Sequence, residues 1–92
     1  MNQITFIGGG NMARSLIGGL VQKGFDPAAI RVSEPQAAAR DALAADFGVT
    51  VFSDNGAACA GADLVVLAVK PQVMPAVAGA LALSQRPVVV SI

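Results

Sequence analysis

Ninety-two residues are enough for one small domain, near the lower end of what buries a self-sufficient core. With 54% hydrophobic and 13% charged residues, the chain is core-rich, which excludes a disordered segment. Six basic residues balance six acidic ones without clustering, which argues against a nucleic-acid footprint or a polybasic membrane surface.

No basic start precedes the first apolar stretch, so no secretory leader is expected. That stretch predicts a strand over Gln3–Ile7, running straight into Gly8-Gly9-Gly10-Asn11-Met12-Ala13. Gly8, Gly10 and Ala13 satisfy the dinucleotide-binding spacing G-x-G-x-x-G/A. Gly8 permits the tight turn out of the strand, and Gly10 lacks the Cβ that would hold a pyrophosphate off the backbone. Ala13 lets the following helix pack close to the strand. The backbone N–H groups of Asn11 and Met12 then become unpaired donors at the positive end of a helix, suited to an anion. Glycine turns are common, and it is the position at the first strand–helix junction of an α/β chain that gives this one meaning.

In the first helix Met12, Leu16 and Leu20 recur every four residues beside Ala13, Ile17 and Val21, forming one wide apolar face that Gly24 ends. Gly18 and Gly19 interrupt it at about 1 kcal/mol each relative to Ala, and close packing against the sheet is the expected reason. The second strand, Ile30–Ser33, leads into Ser33-Glu34-Pro35, roughly 20 residues past the glycine turn, where a ribose-reading residue belongs. A carboxylate there accepts a hydrogen bond from a ribose 2′-OH and repels a 2′-phosphate, whereas a serine can donate to that phosphate. The chain offers both. Pro35 suits the first turn of the second helix, Ala39, Leu43 and Phe47 form its stripe, and Gly48 ends it. Arg40, further into that helix, is expected to be a solvated surface residue.

A third strand follows over Val49–Phe52, then a short helix over Asn55–Ala60 that carries Gly56. Cys59 is the single cysteine, so no internal disulfide or cysteine metal cluster can form, and among Ala57, Ala58 and Ala60 it reads as a buried packing residue. Histidine is absent, which removes the commonest general base and metal ligand. The fourth strand spans Leu64–Val69. A fourth helix carries Val73, Val77 and Leu81, with Pro75 confining its regular part, and the fifth strand is Val88–Ile92. The uncharged run Val73–Leu83 is too short for a membrane span of about 20 residues. A cytoplasmic location is therefore the expectation.

The strands are β-branched and nearly continuous in hydrophobicity, as parallel strands covered on both faces require. Alternation with helices predicts an α/β fold: a Rossmann-type doubly wound parallel sheet of five strands in the order 3-2-1-4-5. Ligands of such sheets bind at the carboxyl ends of the strands, which brings Gly8–Met12 beside Ala68-Val69-Lys70-Pro71. Lys70 reads either as a solvated lysine at a strand end or as a contact to ribose, phosphate or substrate. Pro71 restrains Lys70 toward an extended conformation. The sequence stops at Ser91-Ile92, directly after an apolar run, as expected of a piece of something longer.

Phe6-Ile7-Gly8-Gly9-Gly10-Asn11-Met12-Ala13 and Ala68-Val69-Lys70-Pro71 together resemble the N-terminal half of the pyrroline-5-carboxylate reductase family. Asn55 before the third helix and Val89-Val90-Ser91-Ile92 extend that resemblance over essentially the whole chain. Either main motif alone also resembles other 6-phosphogluconate dehydrogenase-like proteins, including F420-dependent NADP reductases. The resemblance implies reduction of 1-pyrroline-5-carboxylate to L-proline, the last step of proline biosynthesis, with hydride from NADP(H) or NAD(H). It places Ile7, Gly8, Gly9, Gly10, Asn11 and Met12 at the pyrophosphate, and Ser33, Glu34 and Pro35 at the adenine-ribose end. Asn55 falls at the adenosine portion, and Ala68, Val69, Lys70 and Pro71 line the nicotinamide side. It also implies a C-terminal helical domain, absent from these residues, that builds the imine-substrate pocket and a homo-oligomer interface. Many family members carry a small polar residue where this chain has Glu34, a departure that bears on the preference for NADPH. The rival readings are a dinucleotide-sensing module that catalyses nothing and an α/β scaffold whose glycine turn has no ligand.

Overall fold

Every residue of the first strand, β1 (Ile4–Ile7), is buried, so both faces of the sheet must be covered at this point. A computed structural model of the chain describes residues 3–68 and the strand at 88–91. The elements after β1 are α1 (Asn11–Gln22), a 3₁₀ turn (Pro27–Ala29), β2 (Ile30–Ser33), α2 (Ala37–Phe47), β3 (Thr50–Phe52), α3 (Asn55–Cys59), β4 (Leu64–Leu67) and β5 (Val88–Ser91). All neighbouring strands run parallel, in the order β3-β2-β1-β4-β5. The expected α/β class with a parallel sheet is therefore observed.

Strand alternation divides the core into two layers. Ile4, Phe6, Ile30, Val32 and Val66 pack with Ala13 and Ile17 of α1 and Leu43 of α2. Ile7, Val65 and Leu67 point the other way, onto Cys59 and Ala62. Right-handed crossovers dictate this arrangement: the chain moves one way across the sheet through α1 and α2 and returns through α3. Thr5 is the polar exception inside β1, and its buried hydroxyl donates to the Ala58 carbonyl at 2.7 Å, tying α3 to the sheet. Cys59 is buried as expected, and burial pushes its thiol above the ordinary range.

Several boundaries and contacts differ from the sequence expectation. Gln3 and Val49 fall just outside β1 and β3, and Ala68 falls just outside β4, although the Ala68 N–H still bonds the Ile7 carbonyl at 2.8 Å. The helix expected over Asn55–Ala60 ends at Cys59. Pro35 lies ahead of α2 and not in its first turn, because the chain is still extended at Gln36, the N-cap. At the other end of α2, Gly48 adopts φ +75° and donates to the Ala44 carbonyl, the left-handed cap that glycine accommodates most readily. Gly18 faces α2: a Cβ there would lie 3.4 Å from the Phe47 ring, so the small residue serves helix–helix approach and not helix–sheet packing. Gly19 has open space around it among the described residues. The expected helix around Val73, Val77 and Leu81 lies outside the described residues.

The wide apolar face expected on α1 is only half used. Ala13 and Ile17 are buried, whereas Met12 is 62% and Leu16 42% exposed. Leu16, Leu20 and Gly19 instead border an apolar groove of about 450 Å³ floored by Ile4, Phe6, Leu64 and Val66. The difference sets a stability contrast. Ile17→Ala is expected to destabilise the fold by about 2–5 kcal/mol in chemical denaturation, since it empties a fully buried position. Met12→Ala is expected to stay within about 0.5 kcal/mol.

Candidate functional site

The carboxyl ends of β1 and β2 end in register, Ile7 opposite Ser33, and the ladder continues one step further through Gly8 N–H to the Ser33 carbonyl at 2.8 Å. Gly8 then turns at φ +101°, a backbone conformation that a side chain strains. Gly10 is the N-cap of α1 and has no side-chain cap, so the first N–H groups of the helix point outward without an intrahelical partner. A Cβ on Gly10 would meet no atom of the described residues within 4 Å. Among the described residues the space over the helix terminus is open, as a cradle for a backbone-bound anion must be.

Gly9 is the crowded glycine. A Cβ there would lie 2.8 Å from Leu43 Cδ1 and 3.3 Å from Glu34 Cβ. The dinucleotide spacing treats this position as unrestricted and assigns the close approach to Gly10 alone. The structure adds a second requirement, from α2 and the β2–α2 loop pressing on the turn. The two adjacent glycines thus differ in surroundings: Gly9 is crowded, and Gly10 is open among the described residues.

Glu34 links the two halves of the site. It is only 9% exposed, and its carboxylate accepts the Gly9 N–H through Oε1 at 2.9 Å and the Gln36 N–H through Oε2 at 2.9 Å. Its own N–H donates to the Phe52 carbonyl at 2.9 Å. The carboxylate therefore faces the glycine turn and not bulk solvent. Each oxygen retains acceptor capacity beyond the one backbone bond it makes. Beside it, the buried Ser33 hydroxyl donates to Asn55 Oδ1 at the start of α3, and Asp54 caps that helix by accepting the Ala57 N–H at 3.0 Å.

Ile7, Gly8, Gly9, Gly10, Ser33, Glu34 and Asn55 are thus brought together at one edge of the sheet. Asn11 and Met12 begin α1 beside them and are exposed, and Pro35 is exposed on the loop that follows Glu34. Ala68 lies next to Ile7 through their backbone bond. Val69, Lys70 and Pro71 lie outside the described residues. The apolar groove beside α1 includes none of these residues and is a separate feature.

Arg40 departs from the expectation of a solvated side chain. It folds back from α2 and donates through Nη1 to the Glu34 carbonyl at 2.7 Å and to the Pro35 carbonyl at 3.0 Å. Nothing in the spacing announces this; an arginine one turn into a helix after an extended loop has the reach to do it. On the far side of α1, Arg14 pairs with Asp46 and stacks 5.0 Å from the centre of the Phe47 ring, holding α1 and α2 together.

The profile of the family described as NADP oxidoreductase coenzyme F420-dependent matches residues 3–92. The pyrroline-5-carboxylate reductase of Pseudomonas aeruginosa is 52% identical over 85 residues, which cover 92% of this chain and 31% of that protein. That of Synechocystis is 41% identical over 92 residues, covering 98% and 34%. Among solved structures, a pyrroline-5-carboxylate reductase from Coxiella burnetii superposes with a TM-score of 0.90 at 38% identity, covering 99% of this chain and 35% of that one. An imine reductase from Myxococcus stipitatus in complex with NAD+ superposes with a TM-score of 0.67 at 25% identity, covering 83% and 25%. The sequence resemblance is thus borne out, and the chain spans about a third of the length of the reductases it matches.

Proposed function

The chain belongs to the family described as NADP oxidoreductase coenzyme F420-dependent, and from that membership we propose that residues 1–92 form the dinucleotide-binding domain of a pyrroline-5-carboxylate reductase. The observation that carries this reading is the open, uncapped terminus of α1 behind Gly10, set beside the Glu34 carboxylate. The free N–H groups at Asn11 and Met12 suit a pyrophosphate, and Glu34 with Ser33 and Asn55 suits the adenosine ribose. Ala68 and the residues after it stand where the nicotinamide end would come. When bound, the reduced nicotinamide would supply a hydride to the C=N carbon of 1-pyrroline-5-carboxylate, and a proton taken up from solvent at the nitrogen completes L-proline.

These residues bind and orient the cofactor. The imine is held by a further, helical domain of the full-length protein, which also carries its homo-oligomer interface. The sheet is the five-stranded doubly wound kind, and the protein works in the cytoplasm. Both NADPH and NADH bind, with a weaker preference for NADPH than a small residue at position 34 would give.

Calorimetric titration of the chain with NADPH and NADH tests the binding half of this reading, and an assay for proline formation tests the other half. Binding without turnover is expected. Orientation of two reactants supplies about 7–11 kcal/mol of rate enhancement in favourable cases, and a domain that holds only one of them supplies none of it. Turnover of 1-pyrroline-5-carboxylate by residues 1–92 would place the substrate site here instead, and absence of binding to either nucleotide would refute the reading altogether.

A further inference from the structure

We infer that Arg40 is a specificity-determining residue of this site: it supplies the positive charge that lets the 2′-phosphate of NADPH bind beside Glu34. This rests on the dinucleotide-binding reading above. Glu34 directly follows β2, where a ribose-reading carboxylate belongs, and a carboxylate alone there repels a 2′-phosphate. Arg40 is anchored to that same residue. Its Nη1 bonds the backbone carbonyls of Glu34 and Pro35, both uncharged acceptors.

The anchoring leaves the charge uncommitted. Glu34 directs its carboxylate to the Gly9 and Gln36 N–H groups and is not ion-paired with Arg40; the salt bridge among the described residues joins Arg14 to Asp46. Two carbonyls fix the guanidinium in place without neutralising it. Of its five N–H donors, those on Nη2 and Nε make no hydrogen bond among the described residues. A planar fork with free donors, held over the loop that follows the ribose-reading residue, is the group best matched to a phosphate dianion. Glu34 and Arg40 then act in opposition, one favouring a 2′-OH and the other a 2′-phosphate, so the chain accepts either cofactor.

The test is titration of the purified protein and its Arg40→Gln and Arg40→Lys variants with NADPH and with NADH, at matched ionic strength. Arg40→Gln is expected to weaken NADPH by about tenfold or more and NADH by less than about twofold, with Arg40→Lys between the parent and Arg40→Gln for NADPH. A pure loop brace would weaken both cofactors together, so equal losses overturn the proposal while the dinucleotide-binding reading stands. Unchanged affinities for both overturn it as well. If the parent binds neither nucleotide, the proposal and the reading beneath it fall together.

Discussion

Gly10→Val is expected to weaken dinucleotide binding by about a hundredfold or more with the fold intact, whereas Gly9→Val is expected to damage the fold first. A side chain at Gly10 meets no atom of the described residues, so it clashes with none of them in the free chain. That space is the approach to the α1 terminus. A pyrophosphate held off by a valine loses its charge-assisted hydrogen bonds to the helix N–H groups, each worth about 1.5–3 kcal/mol. Two such losses amount to at least a hundredfold in affinity, at about 1.4 kcal/mol for each factor of ten.

At Gly9 the added atoms meet Leu43 and Glu34 before any ligand arrives, with the Leu43 methyl group only 2.8 Å from the new Cβ. Leu43 is buried in the core, so its methyl group has to shift within a packed layer, and overpacking by about 1–3 kcal/mol is expected in denaturant unfolding. Measuring stability and affinity on both variants separates the two roles. Equal affinity of Gly10→Val and the parent would remove the glycine turn from the site, and an unperturbed Gly9→Val would mean that the β2–α2 loop yields easily.

The contrast between the adjacent glycines shows what a one-dimensional pattern carries and what it does not. The strand–turn–helix order at Ile4–Ala13, the caps at Gly24 and Gly48 and the neighbourhood of β1 with β4 follow from local chemistry and handedness, and all were legible in the sequence. The crowding at Gly9, the contact of Gly18 with Phe47 and the backbone grip of Arg40 depend on how α2 lies across the loop, on pairs separated in sequence by tens of residues or by side-chain reach. No periodicity encodes them. Amphipathic spacing also overstated α1: Met12 and Leu16 satisfy it as well as Ile17 does, but only one flank of the helix finds the sheet. The 3₁₀ turn at Pro27–Ala29 carries no apolar periodicity; its signal is Asp26 ahead of Pro27, and the Asp26 carboxylate accepts the Ala28 N–H at 3.0 Å.

Removing the charge of Glu34 is expected to shift the ratio of NADPH to NADH affinity toward NADPH by about tenfold or more. The carboxylate is held toward the glycine turn by the Gly9 and Gln36 N–H groups, and in the proposed binding mode a ribose would sit against it. Like charges about 4 Å apart repel by roughly 4 kcal/mol at an effective dielectric near 20, and by about 1 kcal/mol in bulk water. A 2′-phosphate carries nearly two negative charges, so even a screened interaction exceeds the worth of one serine hydrogen bond, about 1 kcal/mol. NADH loses in the same substitution, because its 2′-OH donates better to a carboxylate than to a neutral amide. Glu34→Gln is the cleaner variant, since its amide oxygen can still accept the Gly9 N–H. Glu34→Ser removes both braces, leaves the Gly9 and Gln36 N–H groups without their partner, and should lower stability as well as shift the ratio. Ionic strength gives an independent check: if the effect is electrostatic, the advantage of Glu34→Gln for NADPH must shrink as salt is raised. A ratio that Glu34→Gln leaves unchanged would mean that the carboxylate serves only to hold the glycine turn, and that cofactor choice is made elsewhere.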